Sequence, residues 1–176
     1  MSHRSDLLTR IGLRASSPLI PAPNHAGYYI IVHFLLAYVF LSTRGVKFRL
    51  GLDHNENPRH DLTNFGEAAV KSGKLTRAQF NAIQRQEAAH QNAVEHFPFF
   101  VGAVLLATHA GLPGDMVNRY AMVYTIARVA YAILYVRVET KQMSWFRTAC
   151  WWAGNITCIR LCYKATGALN SILGKA

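Results

Sequence analysis

The chain has 176 residues, of which 51% are hydrophobic and only 16% are charged, with a mean hydropathy of +0.09. This composition fits one domain and favours a membrane protein, because a water-soluble basic protein normally carries more charge. Nineteen Lys and Arg against nine Asp and Glu give a net charge of +10, but no nucleic-acid-binding motif accompanies the excess. We therefore predict no nucleic-acid partner and attribute the basic residues to membrane topology and anionic lipid headgroups.

The sequence lacks the catalytic and nucleotide-binding motifs of the common soluble enzymes. It has no phosphate-binding loop, no dinucleotide-binding glycine fingerprint and no nucleophile elbow. Its three cysteines, Cys150, Cys158 and Cys162, share one apolar C-terminal segment. They form neither a disulfide framework nor a metal-knuckle spacing, so they are interpreted as small helix-packing residues.

The first membrane helix is predicted from an uncharged run. Residues 1–24 are a polar lead-in with three prolines and are assigned no regular structure. Residues 25–43 contain no Lys, Arg, Asp or Glu, and about 20 such residues span a bilayer. A cleaved signal peptide is the rival interpretation, but the run starts late and no small-residue cleavage site follows it.

Residues 44–77 are predicted to form a hydrophilic loop. The loop holds the densest cluster of basic residues in the chain, so it is expected on the cytoplasmic side. Thr76 and Gln79 form a capping-box pattern that opens the second helix, which is predicted to run to about Ala110. That length exceeds one bilayer crossing, so its first two turns are expected in water or the headgroup zone.

The rest of the sequence predicts two further helices and their connections. These are a turn at 111–114, a third helix at about 115–138, a polar link at 139–144 and a fourth helix at about 145–169. The predicted fold is an all-α integral membrane four-helix bundle over residues 25–170, followed by a short tail at 171–176. Both termini are expected on the side opposite the 44–77 loop.

Polar side chains recur on one face of each later helix. At helical spacing these faces hold Arg85, Asn92 and Glu95, then Arg128, Tyr131 and Tyr135, then Arg147, with Arg44 or Arg49 joining from the end of the first helix. Cations and phenol hydroxyls near the cytoplasmic helix ends suit a small anionic ligand. Alternatively, these residues only bind helices together or extend to lipid headgroups. The residues alone leave both interpretations open.

No metal site is predicted. His90 lies on the side of the second helix opposite Asn92 and has no partner at ligand spacing, so it is interpreted as a packing or interfacial residue. The histidines and acids of the 44–77 loop also lack ligand spacing. They are interpreted as a solvated loop and comprise Asp53, His54, Glu56, His60 and Asp61.

Three stretches carry a resemblance to a known family. They are residues 84–99, with Arg85, Ala89, His90, Asn92, Glu95 and Pro98; the third-helix group Arg128, Tyr131 and Tyr135; and Arg147 with Thr148 and Trp151. These stretches resemble the motifs of the MAPEG family, the membrane-associated proteins in eicosanoid and glutathione metabolism. Together the similarity covers about residues 25–170.

The resemblance implies a homotrimer with glutathione as cosubstrate, bound between subunits near the cytosolic side. The catalytic residues that it implies are Arg147, Tyr135 and Arg49. The glutathione-binding residues that it implies are Arg44, Arg85, Asn92, Glu95, Arg128, Tyr131 and Tyr135. In this analogy Glu95 contacts the amino group of glutathione, Arg147 stabilises its thiolate, and Arg44 or Arg49 acts from a neighbouring subunit.

One position departs from the family pattern. Ala88 stands where many animal members carry an arginine that binds glutathione. Losing such a charge-assisted hydrogen bond costs about 1.5–3 kcal/mol, or roughly tenfold to a hundredfold in affinity. Two expectations follow: Arg85 takes over this contact, or the chain has abandoned glutathione.

Two functional classes follow from the resemblance. The first is a membrane glutathione transferase or peroxidase acting on a lipid-soluble electrophile or hydroperoxide, in the endoplasmic reticulum or another internal membrane. The second is a noncatalytic lipid-binding scaffold that resembles the lipoxygenase-activating member of the family. A glutathione-independent isomerase or cyclase of a membrane-soluble metabolite and a small transporter or channel subunit are further alternatives.

Overall fold

A computed structural model of the protein describes residues 7–15 and 20–174, and its regular structure is helical. The all-α prediction is thereby confirmed. In chain order the elements are α1 (Ala26–Leu35) with a π-helical turn at Leu36–Phe40, α2 (Arg44–Arg49), α3 (Asp61–Lys71), α4 (Arg77–His109), α5 (Gly114–Arg137) and α6 (Lys141–Leu173).

Helices α4, α5 and α6 pack against one another, and α1 packs against α4 and α5. The core between them combines large side chains with alanines that let the helix backbones approach closely. Phe100 and Tyr124 stack with their ring centroids 4.2 Å apart, and each side chain is at most 2% exposed. This core fixes the position of α5 between α4 and α6.

Large apolar side chains also cover the outside of the bundle. Tyr28 on α1 is 70% exposed, Ile126 on α5 is 64% exposed and Tyr163 on α6 is 81% exposed. So many exposed apolar side chains indicate contact with lipid or with another chain. Among the described residues, one stretch, Ala26–Arg49, which includes α1, the π-helical turn and α2, is long and apolar enough to cross a membrane. That α4, α5 and α6 also cross stays a prediction.

The start of α4 confirms the predicted capping box. The Thr76 hydroxyl accepts a hydrogen bond from the Gln79 backbone N–H, and the Gln79 side chain accepts one from the Thr76 backbone N–H. The two bonds satisfy donors that the first helical turn otherwise leaves free. The turn before α5 also lies where predicted, because Gly111 adopts a positive φ of 69° and ends the preceding helix.

Two predicted boundaries are corrected. The 44–77 segment is not simply a hydrophilic loop, since it contains α2 and α3. Its apolar side chains bury a small core against the foot of α4, formed by Leu52, Leu62, Ala69, Leu75, Phe80 and Ile83. Helix α6 starts at Lys141 rather than 145 because Thr140 caps it, and it continues to Leu173 rather than ending near 169.

The N-terminal lead-in is held against the bundle. Residues 7–10 form a helical turn, although no regular structure was expected there. The fully buried Asn118 side chain accepts a hydrogen bond from the His25 backbone N–H and donates to the carbonyls of Gly12 and Pro23. One side chain of α5 thus holds the segment that precedes α1.

Replacing Gly66 with alanine should destabilise the contact between α3 and α4. A Cβ atom at Gly66 would lie 2.2 Å from Cε2 of Phe80, a side chain that is 2% exposed and packed in the small core beside α4. Overpacking of this kind costs about 1–3 kcal/mol in free energy of unfolding, measurable by denaturant titration in detergent.

Gly167→Ala is the matched control, because a Cβ there meets nothing within 4 Å. That variant should be slightly stabilised, since glycine costs about 1 kcal/mol relative to alanine inside a helix. Adding Phe80→Leu should recover part of the Gly66→Ala loss. Equal stability of Gly66→Ala and the wild type would show that α3 is not packed in this way.

Candidate functional site

An open cleft lies between the C-terminal half of α5 and the first turns of α6. It has a volume of about 250 Å³ and is lined by Tyr131, Tyr135, Arg147, Thr148 and Trp151. Tyr131 and Tyr135 share one face of α5 because they are four residues apart. Arg147 and Trp151 share a face of α6 for the same reason. We call this the tyrosine cleft.

Aromatic and cationic groups stack along one side of the tyrosine cleft. The guanidinium carbon of Arg147 lies 4.2 Å from the centroid of the Tyr135 ring. Tyr135 meets Tyr131 edge to face at 5.4 Å. The guanidinium carbon of Arg128 lies 4.6 Å from the centroid of the Tyr131 ring. Two cations therefore flank the tyrosine pair, and such contacts are favourable when partly desolvated.

Arg128 belongs to the interior and not to the cleft. Its side chain is 3% exposed, and its Nη2 group donates to the side-chain oxygen of Asn92 at 2.8 Å and to the Asn92 backbone carbonyl at 3.3 Å. Arg128 thus ties α5 to α4 directly behind Tyr131. The structure brings together Asn92, Arg128, Tyr131, Tyr135 and Arg147 in one continuous group.

Arg85 binds the end of the helix that carries the tyrosines. Its Nε group donates to the Val136 carbonyl at 3.0 Å, and its Nη2 group donates to Glu139 at 2.7 Å. A cation here also interacts favourably with the C-terminal dipole of α5. The side chain of Arg85 therefore holds α4 to α5 at the end of the bundle where Tyr135 lies.

Glu95 faces outward from α4. The residue is exposed, and no hydrogen bond or ion pair to it occurs among the residues that the structure describes. If α4 crosses the membrane as predicted, an unpaired carboxylate on its outer face would be costly unless another molecule or chain pairs with it. Ala88, two turns earlier, is half-buried and supplies no charge of its own.

Arg44 and Arg49 lie outside the tyrosine cleft of their own chain. Arg44 donates to Asp53 at 2.9 Å and to Asn55 at 3.0 Å, and its hydrogen bond to Asp53 lowers the pKa of the Asp53 carboxyl. Arg49 is exposed at the edge of a second, apolar cleft of about 330 Å³ between α2 and the start of α4. Arg44 is thus paired with an acid, whereas the Arg49 side chain has no ion pair among the described residues.

A buried ionic network that was not predicted from the sequence lies where α2 and α3 pack against α4. Lys47 is 2% exposed and its ammonium lies 3.2 Å from Asp61 and 4.0 Å from Glu87. The ammonium also donates to the Pro58 carbonyl, and the Thr43 hydroxyl donates to Glu87. We call these groups the Lys47 network. The network joins α2, α3 and α4.

The interpretation of Asp61 as part of a solvated loop is therefore wrong. Asp61 is 1% exposed, and His54 contacts it at 3.1 Å while stacking on Phe65. No group of three or more His, Cys, Asp and Glu side chains arranged to hold a metal ion occurs in the described part of the chain. The spacing of Thr43, Val46, Lys47 and Leu50 was the available signal, because it continues the inward face of α1.

Two histidines of α4 have structural partners. The Nδ1 group of His90 hydrogen-bonds the Ala37 carbonyl at 2.8 Å, which agrees with its interpretation as a packing residue. His96 is 7% exposed and lies 5.8 Å from Trp151, edge to face. His96 therefore supports a wall of the tyrosine cleft from behind, a role that the sequence did not indicate.

Comparison with known proteins gives one clear result. The model of the MAPEG family matches residues 25–167. Searches of curated proteins and of solved structures found no significant match. The family is membrane-associated, and it includes glutathione transferases, peroxidases and noncatalytic lipid-binding proteins. Because the match covers all of α1 to α5 and most of α6, the chain belongs to the MAPEG family.

Proposed function

We propose that the protein is a membrane glutathione transferase or peroxidase that uses the glutathione thiolate on a lipid-soluble electrophile or hydroperoxide. The observation that carries this proposal is the half-buried Arg147 at the wall of the tyrosine cleft. Its guanidinium stacks on Tyr135 and forms no ion pair among the described residues. A free thiol titrates near about 8.5, and a neighbouring guanidinium lowers that value. Bound glutathione would then be largely a thiolate at neutral pH.

The other polar groups are suited to the ends of the tripeptide. Tyr131 and Tyr135 offer phenol hydroxyls in the cleft, and Asn92 and Arg128 hold Tyr131 from behind. The carboxylate of Glu95 is proposed to accept a hydrogen bond from the amino group of glutathione. Arg85 is proposed to lie near a glutathione carboxylate, exchanging its contact with Glu139, which is 69% exposed in its side chain.

A subunit interface would complete this site. Glu95 lies on the outer surface of α4 without a partner in the described chain, and apolar side chains surround the bundle. A homotrimer would cover this surface and bring a cation of the neighbouring chain to it. Arg44 is already paired with Asp53, so we assign this role to Arg49 of the partner subunit.

The proposed setting is an internal membrane such as the endoplasmic reticulum, with the 44–77 segment on the cytoplasmic side. The exposed apolar side chains of α1, α5 and α6 would contact lipid. Lipid-soluble substrates would reach the tyrosine cleft from the bilayer, and glutathione would reach it from the cytosol.

Glutathione binding to the purified protein tests the proposal directly. Titration calorimetry should detect binding at millimolar glutathione or below, and a difference spectrum should show thiolate absorption in the ultraviolet. S-methylglutathione is the control ligand, because it should bind without producing that absorption. No binding of either peptide at millimolar concentration would rule out a glutathione-dependent enzyme.

A noncatalytic lipid-binding scaffold is the second candidate. Ala88 favours it, because that position on α4 lacks the arginine expected to bind glutathione. The apolar cleft between α2 and α4 also favours it, since Arg49 is the one charged group among its lining residues. Such a protein would bind a lipid-soluble ligand and turn over no electrophile or hydroperoxide in the presence of glutathione.

A further inference from the structure

The second cleft, between α2 and the start of α4, is lined mainly by apolar side chains. Its volume is about 330 Å³, which lies at the lower end of the range for small-molecule sites. Five of its seven lining residues are aliphatic, and the other two are Gln79 and Arg49. No acidic residue lines it. We call it the α2–α4 cleft, and its lining suits one apolar chain that ends in an anion.

Two cations without acidic partners adjoin the α2–α4 cleft. The Arg49 side chain is exposed and forms no hydrogen bond or ion pair among the described residues. The Lys74 ammonium donates to the Gly51 carbonyl at 3.2 Å and has no acidic partner in the described part of the chain. Gly51 follows Leu50, and Lys74 precedes Leu75, and both of these leucines line the cleft. Uncompensated positive charge therefore lies next to the apolar lining.

The level of the α2–α4 cleft in the bundle indicates the source of its ligand. Gln79 and Ala82 of the lining lie in the first two turns of α4, which are expected in the headgroup zone. Phe48, next to Arg49 on α2, is 76% exposed, and exposed aromatic side chains suit that zone. The inference rests on the membrane setting of the proposed function. At this level a bilayer lipid would place its head beside Arg49 and one acyl chain in the cleft.

Charge selects among the bilayer lipids. A zwitterionic head carries its own cation beside the phosphate, whereas an anionic phospholipid leaves its charge for the protein, and basic pockets between membrane helices bind such heads. We propose that the α2–α4 cleft binds one acyl chain of an anionic phospholipid and that Arg49 and Lys74 bind its phosphate. A guanidinium has five N–H donors, so the contact proposed for Arg49 with a neighbouring subunit leaves donors for the phosphate.

Lipid titration of the purified protein in detergent tests the proposal. Phosphatidylglycerol and phosphatidylcholine with identical acyl chains are the probes, because they differ only in the head. Native mass spectrometry should show one phosphatidylglycerol retained per chain, bound at least about fivefold more tightly than phosphatidylcholine. Equal binding of the two lipids would overturn the proposal. The samples contain no glutathione, so the result is independent of whether the protein uses it.

Charge variants locate the headgroup. Arg49→Gln and Lys74→Gln should each weaken phosphatidylglycerol binding by about fivefold. Arg59→Gln is the matched control, because Arg59 is an exposed arginine of the 44–77 segment that does not line the cleft. This control should bind the lipid as the wild type does. An equal loss in Arg59→Gln would indicate attraction to the overall surface charge and would overturn the proposal.

A cleft variant locates the acyl chain. Ala82→Phe places a ring in the α2–α4 cleft and retains both cations, so the complex with one phosphatidylglycerol should be lost. Unchanged binding in this variant would place the lipid outside the cleft and overturn the proposal. A change in the mass of the oligomer would also overturn it, because a second copy of the chain would then be the occupant of the cleft.

Discussion

Arg147→Gln should slow glutathione conjugation by about threefold to fiftyfold at pH 6.5 to 7, where the wild-type thiol is already about half ionised or more. The expected cause is a rise of about one to two units in the pKa of the bound thiol, since each unit changes the thiolate fraction about tenfold below the pKa. A cation stabilises the thiolate, so its removal shifts the rate profile to higher pH. Above about pH 9 the variant should approach the wild-type rate. Pre-steady-state rates measured across this pH range check the shift.

Arg160→Gln is the control for that experiment. Arg160 lies on the same helix, is exposed and does not line the tyrosine cleft. Its pH profile should match the wild type. If Arg147→Gln lowers the rate equally at every pH, then Arg147 does not act on the thiol pKa. In that case its contact with Tyr135 serves only to shape the cleft.

Local sequence signals explain how much of the helical fold was predictable. An uncharged run located α1, a capping box located the start of α4 and a glycine turn located the start of α5. Each of these signals depends on neighbours along the chain. Thr140 was an equally local cap for α6, but the polar residues after it favoured a link.

The Lys47 network was not predictable in the same way. A lysine next to other basic residues favours a solvated loop, and only the folded chain brings Asp61 and Glu87 to it. Partners so distant in sequence leave no local pattern except the spacing that puts Lys47 on the inward face. The helices α2 and α3 were missed for the same reason, because their core forms against α4.

In the candidate site, local spacing predicted some of the residue positions, and the remaining contacts depend on how the helices pack. The spacing of Tyr131 and Tyr135 on α5 was enough to place them together. The stacking of Arg147 on Tyr135 depends on how α6 packs against α5, which spacing does not contain. Arg85 was expected to face a ligand, yet the end of α5 lies close enough for Glu139 to pair with it. Tertiary packing thus decides which predicted cations remain free.

Lys47→Met should be the most destabilising single change in the 44–77 segment. It would leave the Asp61 and Glu87 carboxylates, with side chains 0% and 14% exposed, without their shared cation. Removing one partner of a buried ion pair costs about 3–5 kcal/mol. Reversible unfolding in mixed detergent measures the free energy of unfolding directly. The segment 44–77 should also become more sensitive to protease than the rest of the chain.

Matched variants distinguish the stability cost of removing a buried lysine from that of removing any lysine of the segment. Lys74→Met removes a lysine of the same segment that is exposed and donates to the Gly51 carbonyl, so its cost should stay within about 0.5 kcal/mol. Adding Asp61→Leu and Glu87→Gln to Lys47→Met should recover much of the lost stability, because no unpaired charge then remains buried. If Lys47→Met costs no more than Lys74→Met, the ammonium must reach solvent and the Lys47 network does not hold α2 and α3 to the bundle.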